Sequence, residues 1–124
     1  MPCQSLIELL EQNPSADCQH LACLLKSKTA QSNLERSDNV SCSELFEIYT
    51  RRLAILESRD RKGNQERKIA FSSFLENLRS LNEHHCLIYC LTERDGYHWG
   101  VFVDTNHSRI LGCWESPTPP VIFS

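Results

Sequence analysis

Residues 85–116 read HCLIYCLTERDGYHWGVFVDTNHSRILGCWES, and this stretch decides the fold class. Three segments rich in β-branched, aromatic and aliphatic residues are separated by two polar interruptions, the composition of strands joined by short turns. The first interruption holds Asp95-Gly96, a dipeptide suited to a two-residue hairpin loop because both central positions need positive φ. The second runs from Thr105 to Ser108 and lets Asp104 and Arg109 pair across it. A three-stranded antiparallel meander is therefore predicted at the C-terminal end.

The two turns also predict a register. With Asp95-Gly96 as the loop, Thr92 faces Trp99 and Glu93 faces His98. With Thr105 to Ser108 as the second loop, Trp99 faces Trp114 and His98 faces Glu115. Side chains alternate between the faces of a sheet. One face then carries Cys86, Ile88, Cys90, Trp99, Val101, Val103, Ile110 and Trp114 and is expected to pack on helices. The other carries Tyr89, Leu91, Glu93, His98, Phe102, Leu111, Cys113 and Glu115. At its end His98 lies between two carboxylates, with Gly100 leaving space beside it.

Upstream the apolar period is helical. Ser5-Leu-Ile-Glu8 has the spacing of a capping box, and the helix it starts should stop at Asn13-Pro14. A second helix is expected from Asp17, its N-cap, with Leu21, Leu24 and Leu25 turned inward. Residues 27–40, SKTAQSNLERSDNV, are polar and without period, and read as a flexible loop. Ser41-Cys-Ser-Glu44 repeats the capping-box spacing. Leu45, Tyr49, Leu53 and Leu56 then recur at helical intervals, as do Ile69, Phe71, Phe74, Leu75 and Leu78 after Gly63. Two helices meeting near Gly63 are expected, or one bent helix. The result is a single α+β domain over residues 1–124, with N-terminal helices packed on one face of the meander and a proline-rich tail at 117–124.

Composition narrows the function classes. A hydrophobic share of 40% and a charged share of 23% suit one globular core. A net charge of −3 argues against a dominant polyanion-binding role. The basic residues Arg51, Arg52, Arg59, Arg61, Lys62, Arg67 and Lys68 interleave with Glu57, Asp60 and Glu66, the pattern of a solvated helix surface rather than a nucleic-acid interface. No apolar run approaches the roughly 20 residues that span a bilayer, and the start lacks the basic region of a secretory signal. The seven cysteines are an odd number and sit largely in apolar segments, so free thiols in a reducing, cytoplasmic setting are expected. No cofactor motif is present. Metal ligation is not expected either: Cys86 and Cys90 on one strand would stand about 13 Å apart, and no CxxC pair exists.

His98 beside carboxylates has the form of a catalytic base oriented by an acid. Otherwise it forms a cross-strand ion pair worth about 0.2–1 kcal/mol. Cys18, in Asp17-Cys-Gln-His-Leu-Ala-Cys23, is the best-placed nucleophile, because the positive end of a helix lowers a thiol's pKa. Cys113 is the second, through its expected nearness to His98.

His98-Trp99-Gly-Val-Phe-Val-Asp104 with Ile110-Leu-Gly-Cys-Trp-Glu115-Ser116 resembles the His-Trp and Asp-Ser strands of SUMO-protease/adenain-type cysteine peptidases. The resemblance implies His98 as base and Glu115 as orienting acid, with Glu in place of the usual Asp. In that family the Gln and the nucleophilic Cys lie downstream, and residues 117–124 hold neither. Cys18, His98 and Glu115 also match the chain order of papain-like enzymes, with Gln12 the nearest Gln before the Cys. A cysteine hydrolase or acyltransferase is thus one expectation. The leading one is a small interaction or accessory protein, inhibitor or immunity-like and of bacterial or viral type. It would bind a protein partner or a second copy through Tyr89, Phe102, Leu111 and the C-terminal tail, because exposed apolar patches mark such surfaces.

Overall fold

The computed structural model describes residues 3–58, 64–81, 84–120 and 123. In chain order the elements are α1 (Cys3–Gln12), α2 (Ala16–Leu24), α3 (Lys28–Asn33), β1 (Leu34–Ser41), α4 (Cys42–Ser58), α5 (Asn64–Leu81), β2 (His85–Thr92), β3 (His98–Asp104) and β4 (Arg109–Ser116). The fold is α+β, with an antiparallel meander formed by β2, β3 and β4. Contacts divide the chain into two compact units, residues 1–38 with 87–124, and residues 39–86.

In the first unit, α1 and α2 cover one face of the sheet. Leu6, Ile7 and Leu10 of α1 are buried, as are Cys18, Leu21, Ala22 and Leu25 along α2, the i, i+3, i+4, i+7 stripe of an amphipathic helix. They form one core with Leu87, Tyr89 and Leu91 of β2, Trp99, Val101 and Val103 of β3, and Cys113 of β4. The turn between the helices is held by two side chains, Asn13, whose Oδ1 accepts from the Ser15 N–H at 2.9 Å, and Gln19. Gln19 Nε2 donates to the carbonyls of Glu11 at 2.7 Å and Asn13 at 2.6 Å, satisfying the open end of α1.

In the second unit, α4 and α5 pack through an aromatic cluster. The Tyr49 ring stacks on Phe71 at 5.8 Å and meets Phe74 edge-on at 5.4 Å, with the Arg52 guanidinium 5.3 Å from its centroid. Ser41 Oγ accepts from the Glu44 N–H at 3.5 Å, one half of the expected capping box. Two separate helices occupy this region, while Gly63, Arg59, Asp60, Arg61 and Lys62 lie outside the described residues.

Several expectations are corrected. Residues 27–40 do not form a loop. Ser27 Oγ accepts from the Ala30 N–H at 3.1 Å and caps α3, and the following residues form β1, which takes an outer position in a four-stranded sheet ordered β1-β2-β3-β4. A polar edge strand draws its stability from ladder hydrogen bonds rather than apolar alternation, so periodicity does not reveal it. Helix α1 begins at Cys3, before Ser5, and α2 follows an N-cap at Ser15 rather than Asp17.

The register differs by one residue across the first hairpin and, beyond a bulge, across the second. Thr92 pairs with His98 and Leu91 with Trp99, because the loop is Arg94 to Gly96, closed by Glu93 N–H to Tyr97 O at 2.9 Å. Gly96 takes φ +85°, as expected of the left-handed position in a three-residue hairpin. Across the second hairpin Asp104 pairs with Arg109 as expected, but a bulge between Phe102 and Val103 in the ladder leaves Leu111 as the extra residue. Beyond it Trp99 pairs with Glu115 and His98 with Ser116.

The two faces are therefore repartitioned, and the expected exposed patch is absent. Tyr89, Phe102 and Leu111 are all buried. The physical reason lies in β2: Cys86 to Leu91 is an unbroken apolar run, the mark of a strand buried on both faces rather than a half-exposed one. Pro120 of the tail is buried as well, and its ring lies over Gly100.

Candidate functional site

The shifted register scatters the residues expected to act together. Along β3, His98, Gly100 and Phe102 share one face of the sheet, while Trp99, Val101 and Val103 face α1 and α2. Glu115, paired with Trp99, and Cys113, paired with Val101, lie on the helix-covered face. His98 is thus on the opposite face from Cys18, Cys113 and Glu115. Its Nδ1 instead meets Thr92 Oγ1 at 2.9 Å across the first hairpin. Gly100 offers His98 no open space, since a Cβ there would stand 3.0 Å from Pro120 Cγ.

The structure brings together a different set. Cys18 and Cys113 are free, buried thiols that share one core. The Cys113 thiol lowers the Cys18 thiol pKa; burial opposes it, a hydrogen bond from Ser15 assists it, and the net shift is downward. Cys113 moves the other way, well above the ordinary thiol range, because of the Cys18 thiol and burial. Cys90 is also raised, first by burial and then by the Glu35 carboxylate.

At the hairpin end of the same face, Trp99 Nε1 donates to Glu93 Oε2 at 3.1 Å, and the His20 ring lies 5.7 Å from the indole. Glu115 approaches Glu93 there. Burial, a hydrogen bond shared with Glu93 and the charges of Glu93 and Asp95 raise the Glu115 carboxyl, and His20 partly offsets them. The sequence hints at this cluster only through two Glu residues near an indole. At the other end Asp104, 1% exposed, accepts from the Asn106 N–H at 3.1 Å, His107 Nδ1 at 2.7 Å and Arg109 Nε at 3.3 Å. Burial pushes its carboxyl upward, but the bonds from His107 and Arg109 outweigh it and hold the group below the usual range.

A groove of about 620 Å³ lies between α2, α3 and the β2–β3 turn. Leu24, Ala30 and Leu91 give it apolar surface, while Asn33, Glu93, Arg94 and Asp95 place polar and charged groups of both signs around it. Its size falls within the usual range for ligand sites. Nothing in the helical or strand periodicity announces it, because one of its walls, α3, comes from the segment that reads as a loop.

Among the described residues, no three His, Cys, Asp or Glu side chains converge as a metal site requires. No helix among them is long and apolar enough to cross a membrane. No protein-family model, curated protein or solved structure matches the chain.

Proposed function

We propose that this chain is a small accessory protein of inhibitor or immunity type, which holds a segment of a partner protein in the groove between α2, α3 and the β2–β3 turn. The observation that carries this reading is the groove itself, open to solvent and mixed in lining, with apolar surface from Leu24, Ala30 and Leu91 bordered by Glu93, Arg94 and Asp95. Apolar contact supplies affinity in such a site, and the few charged groups fix orientation. Tyr97, 42% exposed on the same hairpin, adds an aromatic of the kind enriched at interfaces. A reducing, cytoplasmic setting suits the thiols of Cys18, Cys23, Cys90 and Cys113. A cysteine hydrolase of papain-like or SUMO-protease type would need His98 beside Cys18, and the two occupy opposite faces of the sheet, which favours the binding role.

The test is site-specific photo-crosslinking in the native host. A photoreactive residue at Asn33 or Arg94 should capture one protein that the same residue at Ser72, exposed on α5, does not. Equal capture from all three positions, or none from the groove, would overturn the proposal.

A further inference from the structure

The net charge of −3 hides a segregation along the chain. Residues 51–68, RRLAILESRDRKGNQERK, hold seven of the thirteen Lys and Arg but only three of the sixteen Asp and Glu, a local charge of +4. The rest of the chain, with six basic and thirteen acidic side chains, carries −7. The basic stretch ends α4 and begins α5, so the positive charge gathers at one end of a helical hairpin.

Two large aliphatic side chains are exposed at the same end. Tyr49 of α4 meets Phe71 and Phe74 of α5, which sets the helices side by side and antiparallel. Ile55 follows Tyr49 and Ile69 precedes Phe71, so both lie on the side of that contact where α4 ends and α5 begins. Ile55 is 52% exposed and Ile69 61%. Arg51, also exposed, shares a face of α4 with Ile55 at i, i+4, and Lys68 adjoins Ile69. Among the described residues neither Arg51 nor Lys68 forms an ion pair, so their charges are available to a partner.

We infer that this end of the α4–α5 hairpin docks on an anionic lipid surface. Clustered Lys and Arg on an amphipathic helix are drawn to acidic headgroups, and exposed aliphatic side chains beside them enter the boundary between headgroups and acyl chains. Nucleic acid is the poorer match, since residues 51–68 contain no aromatic side chain to stack on bases. The contact is peripheral, as no described helix is long and apolar enough to cross the bilayer. It is independent of what the groove holds.

The experiment sediments the full chain with vesicles of phosphatidylcholine alone, and of phosphatidylcholine with about 30% phosphatidylserine. Binding is expected to the phosphatidylserine vesicles only, and weaker by about tenfold when salt rises from about 0.1 M to about 0.5 M. Arg51→Glu with Lys68→Glu should weaken it by about tenfold or more, whereas Lys28→Glu with Arg79→Glu, the same charge change elsewhere, should cost at most about twofold. Ile55→Ser with Ile69→Ser should lower affinity several-fold at either salt without altering the circular dichroism, both side chains being exposed. The wild-type comparison of lipids and salts decides the matter even if a variant folds poorly. Equal binding to both vesicle types, binding to neither, or equal loss in the two charge-reversed variants would overturn the inference. So would tighter binding to a single-stranded oligonucleotide than to the phosphatidylserine vesicles.

Discussion

Trp99 and Glu93 meet across the first hairpin, the indole Nε1 donating to Glu93 Oε2 at 3.1 Å, on the face where Trp99 also pairs with Glu115. One carboxylate thus serves the indole while a second approaches it. The electrostatic cost of that approach falls on Glu115, whose carboxyl is raised by burial and by Glu93.

A carboxyl whose folded pKa is raised contributes most stability below its unfolded value and loses that contribution as pH rises through the folded one. The urea midpoint of the wild type should therefore fall, relative to Glu115→Gln, from about pH 4.5 upward. Glu93→Gln retains an acceptor for Trp99 but removes the like charge, and should flatten the same pH dependence. Parallel curves for the wild type and Glu115→Gln would show that the two carboxyls do not interact.

Asp104 has the opposite sign. Its carboxyl is held low by His107 and Arg109 against the effect of burial, so its stabilisation is present above the ordinary carboxylate range and is lost as pH falls through the folded value. Asp104→Ala removes the buried acceptor that gathers the Asn106 N–H, His107 and Arg109, whose exposed groups can turn to water, and should cost about 1–3 kcal/mol in denaturant unfolding. The deficit should shrink below about pH 3.

Ser108 closes the second turn at φ +48°, the left-handed region that side chains bearing a Cβ disfavour. Ser108→Gly relieves this and should stabilise the protein by about 0.5–1 kcal/mol, less any gain in unfolded-chain entropy. Ser108→Val should destabilise it. Thermal melts of the three proteins give the order directly.

Gly100 is the point where the tail meets the sheet. A Cβ there would lie 3.0 Å from Pro120 Cγ and 3.4 Å from the Phe102 ring, so the Pro120 ring must give by a few tenths of an ångström. Gly100→Ala should cost about 1–3 kcal/mol, as overpacking does. Pairing it with Pro120→Ala, which removes the nearer atom, should recover part of the loss and make the two changes non-additive.

The helices were legible from leucine spacing, as Leu6, Leu10, Leu21 and Leu25 show, and the strands of the meander from their composition. Register was not. Asp95-Gly96 fits a two-residue and a three-residue loop equally well, and the difference is decided by whether Glu93 or Arg94 closes the hairpin. The bulge at Leu111 has no composition of its own. Those single-residue steps moved His98 away from Glu115, and the altered faces put Cys113 in the core that also holds Cys18. β1 stayed hidden because Leu34 to Ser41 has neither alternation nor β-branched density. That Cys18 and Cys113 share a core could not be read from either local segment, since it follows only once α2 is laid on the sheet.

Gln19 gives α1 and α2 a common mechanical fate. Its amide grips the last carbonyls of α1 from within α2, so the two helices behave as one lever hinged at Asn13 to Ser15. A displacement of α2 should therefore carry the end of α1 with it. Gln19→Ala would disengage that coupling, and amide exchange in α1 would then cease to report what happens to α2.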